Sequence, residues 1–276
     1  MEEGVRYHKI DRCIEFFPFM NHIFSTKQPV VSVIIPTFNC ATTVSVALES
    51  VLSQDFVDKE IIIIDGGSTD GTLKVLKRYE NKIAKMISEP DRGIYDALNK
   101  GIDLAAGEWV YFLGSDDRLY DSKVFSDIPF RKAKSKMLYG NVVLENDGII
   151  GPSGKIYDGP FSKYKLAKKN ICHQAIFYSR DVFVELGKFD ERYHMWADWA
   201  FNMKAFASKV INPFFFERNI AIYSNRGSSN TVKDVEFLHN RHAIVKKLLG
   251  IRIYYLLLLS ESKTVRYINR LFHRSS

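Results

Sequence analysis

The chain has 276 residues, a formal charge of +7 from 39 basic and 32 acidic side chains, and 46% hydrophobic against 26% charged residues. This length suits one large domain with a sizeable core, and the composition is ordinary for a soluble globular protein. The positive net charge favours anionic partners but does not indicate which kind of molecule they are. Cys13, Cys40 and Cys172 lie too far apart for a metal cluster and are typical of reduced thiols in a cytoplasmic protein. The start of the chain lacks a secretion-signal pattern, and no internal repeat is visible.

The first part of the chain predicts strands that alternate with helices. Apolar, β-branched or aromatic runs predict the strands, and apolar residues at helical spacing predict the helices. In chain order these are a strand at Val30–Ile35, a helix at Val44–Leu52, a strand at Glu60–Asp65, a short helix at Leu73–Tyr79, a strand at Lys85–Glu89, a helix at Ile94–Ala105 and a strand at Trp109–Leu113. Such alternation indicates right-handed crossovers and a parallel sheet, so the predicted fold class is α/β.

Polar residues follow each of the four predicted strands. They are Pro36–Asn39, Asp65–Gly71, Glu89–Gly93 and Ser115–Asp117. Because ligands of parallel α/β sheets bind outside the carboxyl ends of the strands, we expect a nucleotide-type site at this rim. The adjacent Asp116 and Asp117 suit a hard cation such as Mg²⁺ or Mn²⁺, which prefers carboxylate, water and phosphate oxygens. No Gly-x-Gly-x-x-Gly or Walker lysine motif occurs, which argues against a dinucleotide dehydrogenase.

In this order and spacing the motifs are specific for one family. Residues Val31–Asp117 resemble the nucleotide-binding half of inverting, family 2 type glycosyltransferases with the GT-A fold. Within them, Pro90–Gly101 is most similar to the subgroup that builds bacterial surface polysaccharides. The resemblance implies a Rossmann-like, mostly parallel sheet flanked by helices, with an acceptor-side α+β half and a helical C-terminal tail.

We expect four parts along the chain. They are an N-terminal extension at 1–29, a nucleotide-sugar-binding half at 30–120, an acceptor-side half at 121–230 and a helical, partly basic tail at 231–276. In the acceptor-side half, Met137–Glu145 and Ile149–Ile150 flank Asn146-Asp147-Gly148, which predicts a hairpin. Ile171–Tyr178 is a further strand candidate.

The resemblance assigns a nucleoside-diphosphate sugar to the rim. The residues implied in donor binding are Pro36, Thr37, Asn39, Asp65, Asp91, Arg92 and Asp116. Asp117 is implied as the direct metal ligand. As a residue of a strand-end loop, Asp65 is expected outside the buried core.

The residues themselves leave alternatives open for this assignment. Asp65 is equally typical of a turn residue, and Asp91-Arg92 of a turn that opens the next helix. Asp96 and Asn99 on that helix are either site residues or part of its solvated face.

The resemblance also implies a general base on the acceptor side. In relatives, the acid that opens the acceptor-side helix has this role, and Asp198 occupies its place. Many relatives have Glu-Asp here, whereas this chain has Ala-Asp, so Asp198 alone is the candidate. Direct displacement at the anomeric carbon needs a base but no protein nucleophile. The alternative is an N-cap of a helix at Trp199–Ala207, and the two roles are compatible.

His173, Gln174 and Arg226 are candidates for contacts with the acceptor or the diphosphate. For His173, a purely structural role is an equal alternative. Arg226 lies in Tyr223–Thr231, for which an ordinary surface loop is the alternative to a loop that covers the diphosphate.

The tail combines apolar and basic residues. Val235–Leu249 predicts an amphipathic helix, Ile251–Leu259 is strongly apolar, and Lys263–Arg274 is basic. The apolar run is shorter than the roughly 20 residues that span a bilayer. A membrane-surface contact and a core-packing helix with a solvated basic end are the two interpretations.

Together these features predict a metal-dependent inverting glycosyltransferase. Its expected donor is a nucleoside-diphosphate sugar, UDP-sugar before GDP-sugar, and its acceptor is a glycan or lipid-linked glycan in cell-surface polysaccharide synthesis. We expect a cytoplasmic protein, peripheral on the inner membrane face if the tail binds lipid, and no nucleic-acid partner. The alternative is a non-catalytic nucleotide-sugar or glycan-binding protein with the same fold.

Overall fold

The computed structural model describes residues 28–131, 134–148, 151–224 and 233–262. Within these ranges, a nine-stranded sheet forms the centre of the molecule. The strands are β1 (Val31–Thr37), β2 (Lys59–Asp65), β3 (Lys85–Ser88), β4 (Trp109–Phe112), β5 (Arg118–Leu119), β6 (Met137–Leu144), β7 (Ile156–Tyr157), β8 (Ile176–Ser179) and β9 (Phe214–Tyr223). The helices are α1 (Val44–Leu52), α2 (Thr72–Leu76), α3 (Ile94–Leu104), α4 (Val124–Asp127), α5 (Lys163–Lys168), α6 (Asp181–Leu186), α7 (Ala197–Ala207), α8 (Val235–Ile244) and α9 (Ile251–Glu261).

The strand order is β3-β2-β1-β4-β8-β6-β9-β5, with β7 paired to β6. The first four strands pair in parallel, so that Val31 lies opposite both Lys59 and Trp109. This confirms the predicted parallel sheet of the first half. The second predicted helix is shorter than expected, because α2 ends at Leu76 and the chain continues as a 3-10 helix at Lys77–Lys82.

The parallel strands β1, β2 and β4 are buried on both faces, whereas β3 at the edge is largely exposed, and successive residues of the buried strands alternate between two cores. In β1, Val33 and Ile35 belong to the core that contains the apolar face of α1, and Ile34 belongs to the core that contains the apolar face of α3. A Cβ on Gly101 of α3 would lie 2.4 Å from Ile34 Cγ2, so glycine permits this close approach of helix and strand. Near-continuous apolar runs such as Val30–Ile35 are therefore what such central strands require.

The acceptor-side half differs from the prediction in two places. The chain forms a 3-10 helix at His173–Ala175 before β8 begins at Ile176, so the predicted strand at Ile171–Tyr178 is wrong in its first part. The sheet ladder reaches only Ile176, which pairs with Tyr139 of β6. Both β8 and β7 pair antiparallel with β6, and β9 pairs with it in parallel, whereas Ile149–Ile150 lies outside the described residues.

The tail folds as two helices joined by a π-helical turn. The predicted helix at Val235–Leu249 is wrong as one continuous amphipathic helix: α8 ends at Ile244, a π turn follows, and Val235 is 76% exposed. In the part of the chain that the structure describes, no helix is long and apolar enough to cross a membrane. The basic segment Lys263–Arg274 and most of the extension at 1–29 lie outside the described residues. The division into parts at 30, 120 and 230 stays a prediction.

Candidate active site

A cavity of about 910 Å³ lies at the carboxyl ends of β1 and β4 and extends to the acceptor-side half. The sequence-predicted residues that line it are Pro36, Thr37, Asn39, Asp91, Arg92, Asp116, Asp117, His173, Gln174 and Asp198. Asp65 is not among the lining residues, and Arg226 lies outside the described residues. The structure thus brings the donor-side and acceptor-side candidates to one cavity, while their individual roles stay predictions.

Asp65, the last residue of β2, is fully buried and organises the loop that follows. Its carboxylate accepts hydrogen bonds from the hydroxyls of Thr37, Ser68 and Ser88 at 3.0, 2.6 and 2.8 Å, and from the backbone N–H groups of Gly67 and Ser68. Burial raises the pKa of Asp65, but these hydrogen bonds outweigh it and leave the pKa below its usual value. The expectation that Asp65 lies outside the core is therefore wrong, and its contacts are those of a turn residue.

The loops after β1 and β2 are tied to each other beside the cavity. Asn39 has a positive φ of 48°, its backbone N–H donates to Ser68 Oγ, and its side-chain Oδ1 accepts from the N–H of Thr69. The neighbouring Phe38 lines the cavity with 64% of its surface exposed, which is unusual for so large an aromatic residue. Sequence reasoning missed Phe38 as a separate candidate, although it lies inside the Pro36–Asn39 motif.

Asp91 and Arg92 take part in a charge cluster around α3. Lys100 Nζ lies 2.6 Å from Asp91 Oδ1, and Arg92 Nη2 lies 2.9 Å from Asp96 Oδ1 and 2.7 Å from Glu191 Oε2. Burial raises the pKa of Asp91, whereas the hydrogen bond from Arg92 lowers the pKa of Asp96 to about 2. Of the carboxyl groups in this cluster, Asp91 is the one that lines the cavity.

Asp96 and Asn99 hold α3 in place from its buried side. Both are 7% exposed, so the prediction of a solvated helix face is wrong. Asn99 Nδ2 donates to the carbonyl of Phe189, and Asn99 Oδ1 accepts from the N–H of Phe189, both at 3.0 Å. These bonds fix α3 against the segment that leads into α7.

Asp117 lies at the base of the cavity and is 2% exposed. Ser224 N–H donates to its Oδ1 at 2.8 Å, and Gln174 Nε2 donates to its Oδ2 at 2.5 Å. Burial and the adjacent Asp116 raise the pKa of Asp117 well above its usual range, and burial also raises the pKa of Asp116. The buried carboxyl group of Asp117 and the partly buried one of Asp116 are adjacent, and a cation between them would relieve their repulsion.

The acceptor-side wall of the cavity holds Asp198, which is 6% exposed. The helix α7 begins at Ala197 with Trp196 as its N-cap, so the alternative of Asp198 as N-cap is wrong. Asp198 Oδ1 accepts from Tyr95 Oη and from the Trp199 N–H at 2.8 Å each. Burial raises the pKa of Asp198 to about 6, and these hydrogen bonds limit the rise.

His173 lies beside this carboxylate. Its Nδ1 is 3.9 Å from Asp198 Oδ2, which is too far for a direct hydrogen bond. Burial lowers the pKa of His173 to about 4, so the imidazole is neutral near pH 7. At this separation, an oxygen atom placed to one side of the line between the two atoms can lie about 2.8 Å from each.

Sequence reasoning missed two further residues at Asp198. Asn170 Nδ2 donates to Asp198 Oδ2 at 2.9 Å, and Tyr95 also donates to the carbonyl of Met195. Tyr95 is part of the motif Pro90–Gly101, so a closer reading of that motif offered a signal. Asn170 stands alone in a lysine-rich segment, where no pattern marks it.

The chain is similar to known proteins over both halves. A model of the family described as Glycosyl transferase family 2 matches residues 32–126. A PGL/p-HBAD biosynthesis glycosyltransferase of Mycobacterium bovis is 35% identical over 233 residues, which are 82% of this chain and 88% of the relative. That similarity therefore extends beyond the donor half and includes most of the acceptor-side half.

Solved structures share the fold at lower identity. S. aureus TarS in complex with UDP-GlcNAc has a TM-score of 0.61 at 22% identity, covering 79% of this chain and 66% of that one. A longer TarS chain is covered over 42% of its length. The mannosyltransferase PcManGT from Pyrobaculum calidifontis, in complex with GDP-Man and Mn2+, has a TM-score of 0.54 at 16% identity, covering 88% and 83%. The predicted α/β fold of the GT-A type is confirmed.

Proposed function

This chain belongs to glycosyl transferase family 2, and we propose that it transfers a sugar from a UDP-sugar to a glycan or lipid-linked glycan with inversion at the anomeric carbon. Family membership supports glycosyltransferase activity in polysaccharide or glycolipid synthesis. The observation that carries the finer proposal is that one cavity is bordered by two separate buried carboxyl groups, Asp117 and Asp198. Each of them suits a different half of a displacement reaction.

On the donor side, the proposal places the base against Phe38 and the loops after β1 and β2. An exposed aromatic ring beside polar backbone is a suitable platform for a flat base. Thr37 and Asn39 line the same part of the cavity, and Asp65 supports them from below through its hydrogen bond with Thr37. Asp91 is placed to accept hydrogen bonds from hydroxyl groups of ribose or sugar. The solved relatives in complex with UDP-GlcNAc and GDP-Man support a nucleotide-sugar ligand in this fold.

The residues present fit a divalent cation. Asp117 and Asp116 offer hard oxygen ligands, and their raised pKa values reflect an environment that a cation would relieve. Among the residues that the structure describes, no group of three or more His, Cys, Asp and Glu side chains is arranged for a metal. A site with so few protein ligands suits Mg²⁺ or Mn²⁺, which complete their shell with water and phosphate oxygens. When bound, the cation would neutralise the leaving diphosphate.

On the acceptor side, Asp198 is proposed as the general base. A carboxyl group whose pKa is about 6 is ionised near pH 7 and is a stronger base than an ordinary aspartate. Gln174 connects the two sides, since it follows His173 and donates to Asp117.

The test is a screen of nucleotide sugars for turnover. The purified protein is incubated with UDP-, GDP- and dTDP-sugars in the presence of Mg²⁺, Mn²⁺ or a chelator, and release of the nucleoside diphosphate is measured. We expect metal-dependent release from one donor, a UDP-sugar first. Binding of a donor without release under any condition would instead support a non-catalytic nucleotide-sugar-binding protein.

A further inference from the structure

A chain of buried hydrogen bonds ends on Asp198. Tyr178 donates its hydroxyl to Asn202 Oδ1 at 2.6 Å, Asn202 Nδ2 donates to Asn170 Oδ1 at 2.9 Å, and Asn170 Nδ2 donates to Asp198 Oδ2 at 2.9 Å. Tyr178 lies on β8, Asn202 on α7 and Asn170 in the segment after α5, so three separate elements contribute. Tyr178 and Asn202 are fully buried.

The Asp198 carboxylate at the end of this series of hydrogen bonds determines which atom donates in each of them. An ionised carboxylate only accepts hydrogen bonds, so Asn170 must turn its Nδ2 toward Asp198. Its Oδ1 then faces Asn202, which must present Nδ2 in turn, and Asn202 Oδ1 accepts from Tyr178. The order of donors and acceptors therefore favours one orientation of each amide, and that orientation favours the ionised form of Asp198.

These hydrogen bonds matter because, among the residues that the structure describes, no lysine or arginine forms an ion pair with the Asp198 carboxylate. The nearby buried carboxylate of Asp234, which precedes α8, accepts hydrogen bonds from the N–H groups of Met195 and Trp196. The titratable side chains that face it from β7, β8, α3 and the segment before β8 are Tyr95, Tyr157, Cys172, His173 and Tyr178. Burial raises the pKa of the tyrosines and the cysteine and lowers the pKa of His173, so all five are neutral near pH 7. Hydrogen bonds alone offset the burial of the charge.

The two oxygens of Asp198 are not equivalent. Among the described residues, Oδ1 accepts two hydrogen bonds, whereas Oδ2 accepts one, from Asn170, and faces His173 Nδ1 at 3.9 Å. A hydroxyl oxygen at about 2.8 Å from both atoms fits this gap. We propose that Asn170, oriented by Asn202 and Tyr178, is a positioning residue that directs Asp198 Oδ2 at the acceptor hydroxyl and keeps the carboxylate ionised. This inference rests on the proposed role of Asp198 as the base.

The test measures the proton affinity of Asp198 without any substrate. The stability difference between wild-type and Asp198→Asn protein is measured by denaturation from about pH 4 to pH 8, and its midpoint reports the pKa of Asp198. In an Asn170→Ala background we expect the midpoint to move upward by about one pH unit, a tenfold change in proton affinity. Tyr178→Phe keeps the ring in the core and should move the midpoint in the same direction by less.

Asn141→Ala is a matched control. Asn141 is also a buried asparagine, and its Oδ1 accepts a hydrogen bond from the N–H of Gly159 at 2.7 Å. This substitution should lower stability at every pH and leave the midpoint in place. An unmoved midpoint in both the Asn170→Ala and Tyr178→Phe backgrounds overturns the positioning role. If Asp198→Asn protein instead transfers sugar at the wild-type rate, the base assignment fails, and this outcome is distinct from the first.

Discussion

At the scale of residues, the site contrasts two buried aspartates with different surroundings. Asp117 has a second carboxyl group beside it, and both of its oxygens accept hydrogen bonds from Gln174 and Ser224. Asp198 instead accepts hydrogen bonds from three neutral donors, the Tyr95 hydroxyl, the Trp199 N–H and the Asn170 side-chain amide. The surroundings of Asp117 favour the binding of a cation, whereas those of Asp198 suit a carboxylate that accepts a proton. The same substitution should therefore have different effects at the two residues.

Asp117→Asn should impair donor binding that depends on metal. The amide removes one negative charge from the pair with Asp116, so the attraction for Mg²⁺ or Mn²⁺ falls. Titration calorimetry with UDP in the presence of Mn²⁺ should show about tenfold weaker binding or more, while binding measured with a chelator changes little. Unchanged affinity in the presence of Mn²⁺ would remove Asp117 from the metal site.

Asp198→Asn should leave the affinity for UDP and Mn²⁺ nearly intact and lower turnover by about 10²–10⁴-fold, because the acceptor hydroxyl loses its base. Thermal melts establish that the variant is folded before its kinetics are measured. Transfer at the wild-type rate would place the base elsewhere.

The rate of sugar transfer by the wild-type protein should also fall on the acid side of the Asp198 pKa. Transfer needs the ionised carboxylate, so the rate should fall as the pH drops through about 6. The measurement is the pH profile of kcat for a donor identified in the screen. A profile that stays flat down to about pH 4, the ordinary range of an aspartate, would contradict the raised pKa.

At the scale of elements, the strands that could be predicted from the sequence are those formed by nearly continuous apolar runs. Apart from the buried Ser32, the central residues of β1, β2 and β4 are apolar because both faces of the sheet are covered, and period and length were enough to identify these strands. The strand β9 was missed because Glu217, Arg218 and Asn219 interrupt its apolar pattern, although it pairs with β6 over most of its length. The local sequence does not encode that pairing, which depends on residues about 80 positions apart.

The candidate site shows the same limit. The strand-end motifs predicted its donor side, since the parallel sheet by itself brings their loops together. Asn170, by contrast, becomes a site residue only through hydrogen bonds with Asp198 and Asn202, which follow from the packing of α5 and α7. Burial of Asp65 was missed for a related reason: the hydroxyls that satisfy it come from three different segments.

Asp65→Ala should therefore destabilise the fold as well as the loop after β2. The substitution leaves several buried donors without an acceptor, and we expect the free energy of unfolding to fall by about 3 kcal/mol. Urea denaturation is the measurement. Asp70→Ala in the same loop is the control, since Asp70 is exposed and its loss should lower the free energy of unfolding by much less. Equal and small losses for both variants would show that the buried network around Asp65 does not support the fold.

At the scale of the whole molecule, α9 has an exposed apolar surface, and cationic side chains occur on α9 and on two elements that pack against it. We define the α9 face as Ile251, Tyr255, Leu256, Leu258 and Leu259, all of which are exposed, whereas Leu257 is buried in the core. Cationic side chains on α5, on the π turn and on α9 itself lie near this helix, and none of them forms an ion pair with a described carboxylate. They are Lys163, Lys168, Lys246, Lys247 and Arg252.

This combination favours contact with an anionic membrane surface. Apolar side chains enter the boundary of the bilayer, and each nearby lysine or arginine adds about 1 kcal/mol of attraction to anionic lipid. The helix α5 packs against α9, and the chain continues from α5 to Asn170, which lines the acceptor side of the cavity. A lipid-linked acceptor would then approach the site from the membrane, which links the location of the protein to its proposed substrate.

The prediction is that the protein sediments with vesicles that contain phosphatidylglycerol and far less with vesicles of phosphatidylcholine alone. Leu256→Glu with Leu259→Glu should weaken this binding by about tenfold or more, because it removes apolar burial and adds repulsion. Removal of residues 250–276 is a poorer test, since it also deletes the buried Leu257 and the bond between Arg241 and Glu261.

The matched control carries the same two added charges elsewhere, as Val57→Glu with Val184→Glu, at residues that are 87% and 82% exposed. If this control binds vesicles like the wild type while the α9 variant does not, the α9 face is the contact surface. If both variants lose binding equally, the attraction comes from net charge alone, and the apolar face has another role. Raising the salt concentration separates the two contributions, because salt screens the lysines and leaves the apolar term in place.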